Sequence, residues 1–176
     1  KMNKPLVGIV MGSDSDLPVM RGAADILDEL EVPWEILISS AHRAPEKTAD
    51  YARRAASRGL VAIIAGAGGA AHLAGVIASH TALPVIGVPI SAPPLNGTDA
   101  LYSIVQMPRG IPVATMAVNG ARNAGIFAAQ ILALENRDIN DRLIEFKRQL
   151  AEKVEEKNKQ LQQLGIDGYL FETRKK

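Results

Sequence analysis

The chain has 176 residues, 47% hydrophobic and 22% charged, which suits one globular domain over 1–176 with a core that needs no staples. It contains no cysteine, which excludes disulfides, thiolate zinc sites and cysteine nucleophiles and points to a reducing, cytoplasmic home. A formal net charge of +1 with interleaved signs leaves no electrostatic footprint for nucleic acid, so any phosphate bound here is expected to be small.

The opening "KMNKPLVGIVMGSDSD" reaches Gly12 and Asp14 before an apolar segment of leader length builds up, so no secretory signal is expected. Within it "PLVGIVM" reads as a strand, and "LPVMRGAADILDEL" follows as a helix. The strand "WEILI", the helix "PEKTADYARRAAS", the strand "LVAIIAG", the helix "AAHLAGVIAS" and the strand "LPVIGVP" continue the alternation. "TDALYSIVQM" then reads as a helix, "IPVATMAV" (111–118) as a fifth strand, and "NAGIFAAQILAL" as a small-residue helix packed closely on the sheet or on a neighbouring subunit. Strand, helix, strand repeated this way predicts right-handed crossovers and a parallel sheet covered on both faces. Gly59 to Thr98 holds no Lys, Arg, Asp or Glu, but Gly66, Gly68, Gly69, His72, Pro84, Pro89, Pro93 and Pro94 divide it into short buried pieces rather than a membrane span.

From Asn136 the composition turns charged and Gln-rich, while Leu143, Phe146, Leu150, Val154, Leu161 and Leu164 recur at helical spacing. This predicts an amphipathic helix over 138–164 that either closes the core built from 5–135 or packs on another subunit.

In a five-stranded parallel sheet of order 2-1-3-4-5, ligands bind outside the carboxyl ends of the strands, between strands one and three. The loops after the first three strands, "GSDSD", "SSAHR" and "GAGGAAH", are therefore expected to converge. The amides and hydroxyls of "GSDSD" either meet an anion at a helix N-terminus or serve as an ordinary helix cap. It carries no Walker lysine, and Asp14 or Asp16 would repel a bare polyphosphate unless its carboxylate faced ribose hydroxyls, which favours a sugar phosphate. "GAGGAA" fits the dinucleotide pattern only formally. It follows the third strand, and no Asp or Glu lies between Asp50 and Asp99 to hold a ribose. Its glycines then serve close helix packing or backbone approach to a small planar ligand.

Arg43 offers a planar fork for a phosphate, and the neighbouring His42 is of the residue type that changes protonation near neutral pH. His72 joins them from the third loop, while His80 reads as structural at the far end of its helix. No further His, Cys or carboxylate joins His42 and His72 at metal-ligand spacing, and no serine sits in a G-x-S-x-G elbow.

In order and without large gaps, "MGSDSD", "SAHR", "AIIAGAGGAAHLAG", "LPVIGVP", "LNGTDALYSIVQMPRGIPVAT" and "NAGIFAAQIL" resemble the class I N5-carboxyaminoimidazole ribonucleotide mutases of purine biosynthesis, from about Val7 to Leu132. The resemblance implies an α/β flavodoxin-like three-layer sandwich, a homo-octamer with sites between subunits, a small ribonucleotide substrate, and no metal or organic cofactor. It places Ser13, Ser15, Ser40 and Arg43 around the substrate phosphate and Asp16 on the ribose. His42 corresponds to the general acid/base, and Gly68 with His72 to the region receiving the migrating carboxylate. The family carries Pro and Met where this chain has Ala74 and Val76, and Ser where it has Ala100. The related class II branch carboxylates aminoimidazole ribonucleotide directly and shows Lys after the loop histidine, where this chain has Arg43. A non-catalytic flavodoxin-like module holding FMN or NAD would flank its ring with loop aromatics, whereas Trp34 and Tyr51 fall in a strand and a helix.

Overall fold

The computed structural model describes residues 4–173; residues 1–3 and 174–176, the two ends of the domain expected over 1–176, lie outside the described residues. The chain runs β1 (Val7–Met11), a single 3-10 turn (Asp14–Asp16), α1 (Leu17–Glu29), β2 (Trp34–Ile38), α2 (Pro45–Arg58), β3 (Ala62–Gly68), α3 (Leu73–Ser79), β4 (Val85–Ile90), α4 (Thr98–Val105), β5 (Ala114–Thr115), α5 (Ala121–Ala133) and α6 (Arg137–Thr173). The five strands form one parallel sheet in the order β2-β1-β3-β4-β5.

Side chains alternate across a strand, so β1 sends Val7, Ile9 and Met11 to one face and Val10 to the other. On the first face they meet Met20, Ile26 and Leu27 of α1, Ala124 and Ala128 of α5, and Ile139, Leu143 and Phe146 of α6. On the second, Val10 joins Ile63 and Ala65 of β3 under Ala52 and Ala55 of α2, Ala74 and Ile77 of α3, and Ala100 and Ile104 of α4. A sheet buried on both faces needs apolar residues at every strand position, which is why "VGIVM" and "AIIAG" show no polar alternation. Among the described residues no helix is long and apolar enough to cross a membrane, and the charge-free stretch from Gly59 to Thr98 is spent on β3, α3 and β4.

α2 is held against the edge strand β2 by a small polar cluster. The Tyr51 hydroxyl donates to Glu35 Oε1 at 2.8 Å, and the Arg58 guanidinium forks onto both Glu35 oxygens at 2.8 and 2.6 Å. Burial pushes the Glu35 carboxyl up, but the hydrogen bonds from Arg58 and Tyr51 outweigh it and hold the group below its ordinary value. The helix closes at Gly59 in the left-handed conformation, the usual glycine C-cap.

Two elements depart furthest from their expected bounds. The fifth strand is reduced to Ala114–Thr115: Pro112 has no amide to donate before it, and after Thr115 the chain meets β4 through isolated bonds only. Met116 and Asn119 still donate to Gly87 and Pro89 of β4, at 2.8 Å each, so the chain follows its neighbour without full pairing. The last helix runs on to Thr173 rather than stopping near 164. Gly165 breaks the helical backbone with φ 66° and ψ 177°, yet the chain resumes helix directly after it.

The register decides where the loops emerge. Met11 of β1 pairs with Ile38 of β2 and with Gly66 of β3, so three consecutive spatial neighbours end at nearly one level. Two further bonds tie their exits together: Gly12 N–H to the Gly66 carbonyl at 3.3 Å and Ser39 N–H to the Met11 carbonyl at 2.8 Å.

Candidate active site

Directly above that level lies a cleft of about 410 Å³ lined by Ser13, Ser15, Asp16, Ser40, His42, Arg43, Gly68 and His72, together with Gly12, Ala41, Ala67, Ala71, Leu73 and Ala92. All eight candidate residues of the sequence are thus brought together, and they arrive on three different loops. This is the switch point of the sheet, where the connections leaving β1 and β3 diverge to opposite faces and leave a crevice.

The first loop is organised by its own side chains. Ser13 caps the 3-10 turn, its hydroxyl accepting from Ser15 N–H at 3.3 Å, while Asp16 Oδ2 accepts from Ser13 N–H at 3.1 Å. The motif is therefore a capping box and part of the cleft lining at once. Asp16 is only 8% exposed. Burial raises its carboxyl above the ordinary value and the neighbouring Asp14 adds to this, against the Ser13 and Gly12 amides and the Ser15 hydroxyl, which favour the ion.

The second loop contributes the cation and one imidazole. Arg43 Nη2 donates to the Gly12 carbonyl at 3.1 Å and its Nε lies 3.5 Å from Ser40 Oγ, so the guanidinium spans the first and second loops. Ser40 Oγ also accepts from Arg43 N–H at 3.2 Å. The remaining exposed face of the fork, three serine hydroxyls and the amides of a helix start form a donor set suited to one phosphate.

His42 and His72 meet across the cleft. Nε2 of His42 lies 2.7 Å from Nδ1 of His72, with the rings nearly perpendicular at 85° and 4.9 Å between centroids. One ring must donate and the other accept, so the pair cannot hold both rings as imidazolium while the bond persists. It can carry one extra proton, which is the capacity of a single acid/base.

The third loop supplies backbone. Gly69 takes a φ of +59°, open to glycine, and a Cβ on Gly68 would stand 3.2 Å from the Ile90 carbonyl. The small residues of "GAGGAA" thus allow a tight turn beside β4 and leave peptide groups facing the cleft. Ala74 and Ala100, two departures from the resembled pattern, are fully buried in the second core layer, below His72 rather than in the cleft. Trp34 and Tyr51 lie in β2 and α2, away from the lining.

Other contributors carry no mark in the sequence. Ala92 enters the lining from the loop after β4, and the Gly12 carbonyl orients Arg43. "SAPPLNG" follows the strand next to β3, so topology alone could have drawn attention to it; no sequence pattern marks a carbonyl acceptor. Among the described residues no group of three His, Asp or Glu side chains is placed to hold a metal ion.

The fold and cleft define a flavodoxin-like α/β enzyme whose crevice brings two histidines, an arginine and three serines together. More narrowly, a family model described as AIR carboxylase matches residues 6–153, and the chain belongs to that family. The chain is 58% identical over 172 residues to the N5-carboxyaminoimidazole ribonucleotide mutase of Pyrococcus horikoshii, covering 98% of this chain and 97% of that protein. It is 52% identical over 170 residues to the phosphoribosylaminoimidazole carboxylase of Candida glabrata, covering 97% of this chain and 30% of that longer protein. A crystal structure of Treponema denticola PurE superimposes with a TM-score of 0.81 at 29% identity, covering 89% of this chain and 98% of that one.

Proposed function

We propose that the chain is a cytoplasmic isomerase of purine biosynthesis that moves the carboxylate of N5-carboxyaminoimidazole ribonucleotide from N5 to C4, giving 4-carboxy-5-aminoimidazole ribonucleotide. The observation that carries this reading is the meeting of the His42–His72 pair with the Arg43 fork in one cleft of a chain of this family.

Arg43, Ser13, Ser15 and Ser40 hold the phosphate, and Asp16 accepts from the ribose hydroxyls. The base then reaches toward His42, His72 and the Gly68 backbone. His42 donates a proton to N5 as the N5–carboxylate bond breaks, releasing carbon dioxide and leaving a neutral amine. The enamine carbon C4 attacks the trapped carbon dioxide, and His42 removes the C4 proton to restore the aromatic ring. One proton enters and one leaves, matching the single-proton capacity of the imidazole pair. The small apolar walls of Ala67, Ala71 and Ala92 suit retention of carbon dioxide, which water would otherwise carry off.

A second reading is direct carboxylation of aminoimidazole ribonucleotide, favoured by the likeness to the Candida glabrata carboxylase. Arg43 in place of the class II lysine weighs against it. One experiment separates the two: synthetic carbamate substrate is incubated in buffer containing ¹³C-bicarbonate, without ATP. The mutase delivers unlabelled C4-carboxylate product, whereas a direct carboxylase labels it from solution.

The same proposal extends to assembly as a homo-octamer with sites at subunit boundaries. Its support is α6, whose residues Leu150, Val154, Leu164 and Ile166 are exposed along an arm beyond the body of the chain.

A further inference from the structure

Beneath the cleft lies a pair of hydroxyls that the proposed chemistry does not use. Ser39 and Thr48 are 2% and 0% exposed. Their oxygens are 2.8 Å apart, and Thr48 Oγ1 is also 3.1 Å from the Ala44 carbonyl. A carbonyl only accepts, so Thr48 donates to Ala44 and Ser39 donates to Thr48, a directed chain from the end of β2 to the start of α2.

That chain closes the loop holding Ser40, His42 and Arg43 across its base. Its first anchor is fixed by the Ser39 N–H bond to the Met11 carbonyl, at 2.8 Å. Its last anchor, Ala44, is the N-cap of α2, where no side chain caps the helix and the backbone sits at φ −140° and ψ 56°. The Ala44 carbonyl takes both the Thr48 N–H, at 3.1 Å, and the Thr48 hydroxyl. A buried hydroxyl pair is costly unless fully bonded, and an apolar pair would fill the space without that demand. What the hydroxyls add is direction at one carbonyl, two residues from His42.

We infer that Ser39 and Thr48 are positioning residues that set the place of the His42 ring through the Ala44 carbonyl. The inference rests on the reading of His42 as the acid/base. The other end of α2 stays clamped by the Tyr51–Glu35–Arg58 cluster, so losing the hydroxyl chain moves the first turn and not the helix. Arg43 keeps two further ties, to Gly12 and Ser40, whereas the His42 ring meets His72 through one 2.7 Å contact that a shift of the loop would stretch. The loss therefore falls on the chemical step more than on phosphate anchoring.

The test uses Thr48→Val, which keeps shape and removes the hydroxyl, Thr48→Ser, which restores it, and Ser39→Ala. Two readouts are taken on the whole chain: steady-state kinetics with the carbamate substrate, and the ¹⁵N imidazole spectrum of the His42–His72 pair, which does not depend on any reaction. Thr48→Val is expected to lower kcat by about ten- to hundredfold with KM changed less than about threefold, as misplacement of a reacting group by about 1 Å does. The imidazole N–H···N signal should weaken in parallel, and Thr48→Ser should recover both. Ser39→Ala should show the same split, and it carries the test if Thr48→Val does not fold. An imidazole signal unchanged in the hydroxyl-free variants overturns the positioning role whatever the turnover. A parent protein with an intact signal and no turnover of the carbamate overturns the proposed function instead, and the spectral comparison still decides the positioning.

Discussion

At the scale of single residues, the proposed roles separate by the kind of kinetic damage each predicts. His42→Asn should keep the fold and the phosphate grip, and lose about 10²- to 10⁴-fold in kcat, the range for removing a general acid/base. Turnover within a factor of about three of the parent would refute the role. Arg43→Ala removes contacts made equally to substrate and transition state, so KM should rise by about ten- to hundredfold with a smaller change in kcat. Substrate lacking its phosphate and binding as tightly as the full ribonucleotide would contradict the anchor. Asp16 poses the opposite case, a buried carboxylate whose ion costs stability. Because its folded-state pKa is raised, ionisation destabilises the fold as pH rises from the ordinary value of 3.8 through the higher folded value. Asp16→Asn can still accept from Ser13 N–H and carries no charge. The variant should match the parent at the acid end of that window and exceed it above, while binding substrate more weakly. Urea melts at a series of pH values read the first effect, and a gap that shrinks with rising pH would reverse the argument.

At the scale of elements, the close pairing of α1 with α5 is what lets two helices share one face of a five-stranded sheet with α6 beside them. Gly125 makes it feasible: a Cβ there would press on Ile26 Cγ2 and stand 2.9 Å from the Ala23 carbonyl. Gly125→Ala gains about 1 kcal/mol of helix propensity, but the obstruction is partly backbone and cannot rotate away, so overpacking of about 1–3 kcal/mol wins. A fall of roughly 2–4 °C in Tm per kcal/mol is the expected signature in a thermal melt. "NAGIFAAQILAL" carried this pairing in its small residues, though not the partner, which could as well have been another subunit. Apolar runs such as "VGIVM" revealed their strands because both faces are buried. The fifth strand was less legible: Pro112 within "IPVATMAV" warns of a broken ladder, but that pairing also stops after Thr115 is decided by how the chain meets β4. In the site, topology foretold that three loops would meet, but neither the 2.7 Å contact of His42 with His72 nor the Ser39–Thr48 chain can be read from spacing. Such contacts depend on loop paths that tertiary packing decides.

At the scale of the whole molecule, α6 divides into a part that belongs to the core and a part that does not. Ile139, Leu143 and Phe146 are buried against α1 and α5, whereas Leu150, Val154 and Ile166 are exposed. From Leu150 to the break at Gly165 the helix extends roughly 21 Å at 1.5 Å per residue, and a further helical segment follows to Thr173. A helix of that length gains little stability in water from propensity alone and draws most of it from packing an apolar face. A stripe of exposed Leu and Val at helical spacing therefore calls for a covering surface, and a second copy of the chain is the proposed one. Truncation after Glu135 cannot test this, because it also strips Ile139, Leu143 and Phe146 from the body's own core. Truncation after Gln149 removes the arm and leaves that core complete. The shortened chain should keep its secondary structure, show a smaller assembly by light scattering, and lose turnover together with mass, although no residue lining the cleft has been removed. Dilution should reproduce the same coupling in the full chain, since assembly follows mass action. If the shortened chain is monomeric and fully active, the cleft is complete within one chain and the proposed subunit-boundary site is wrong.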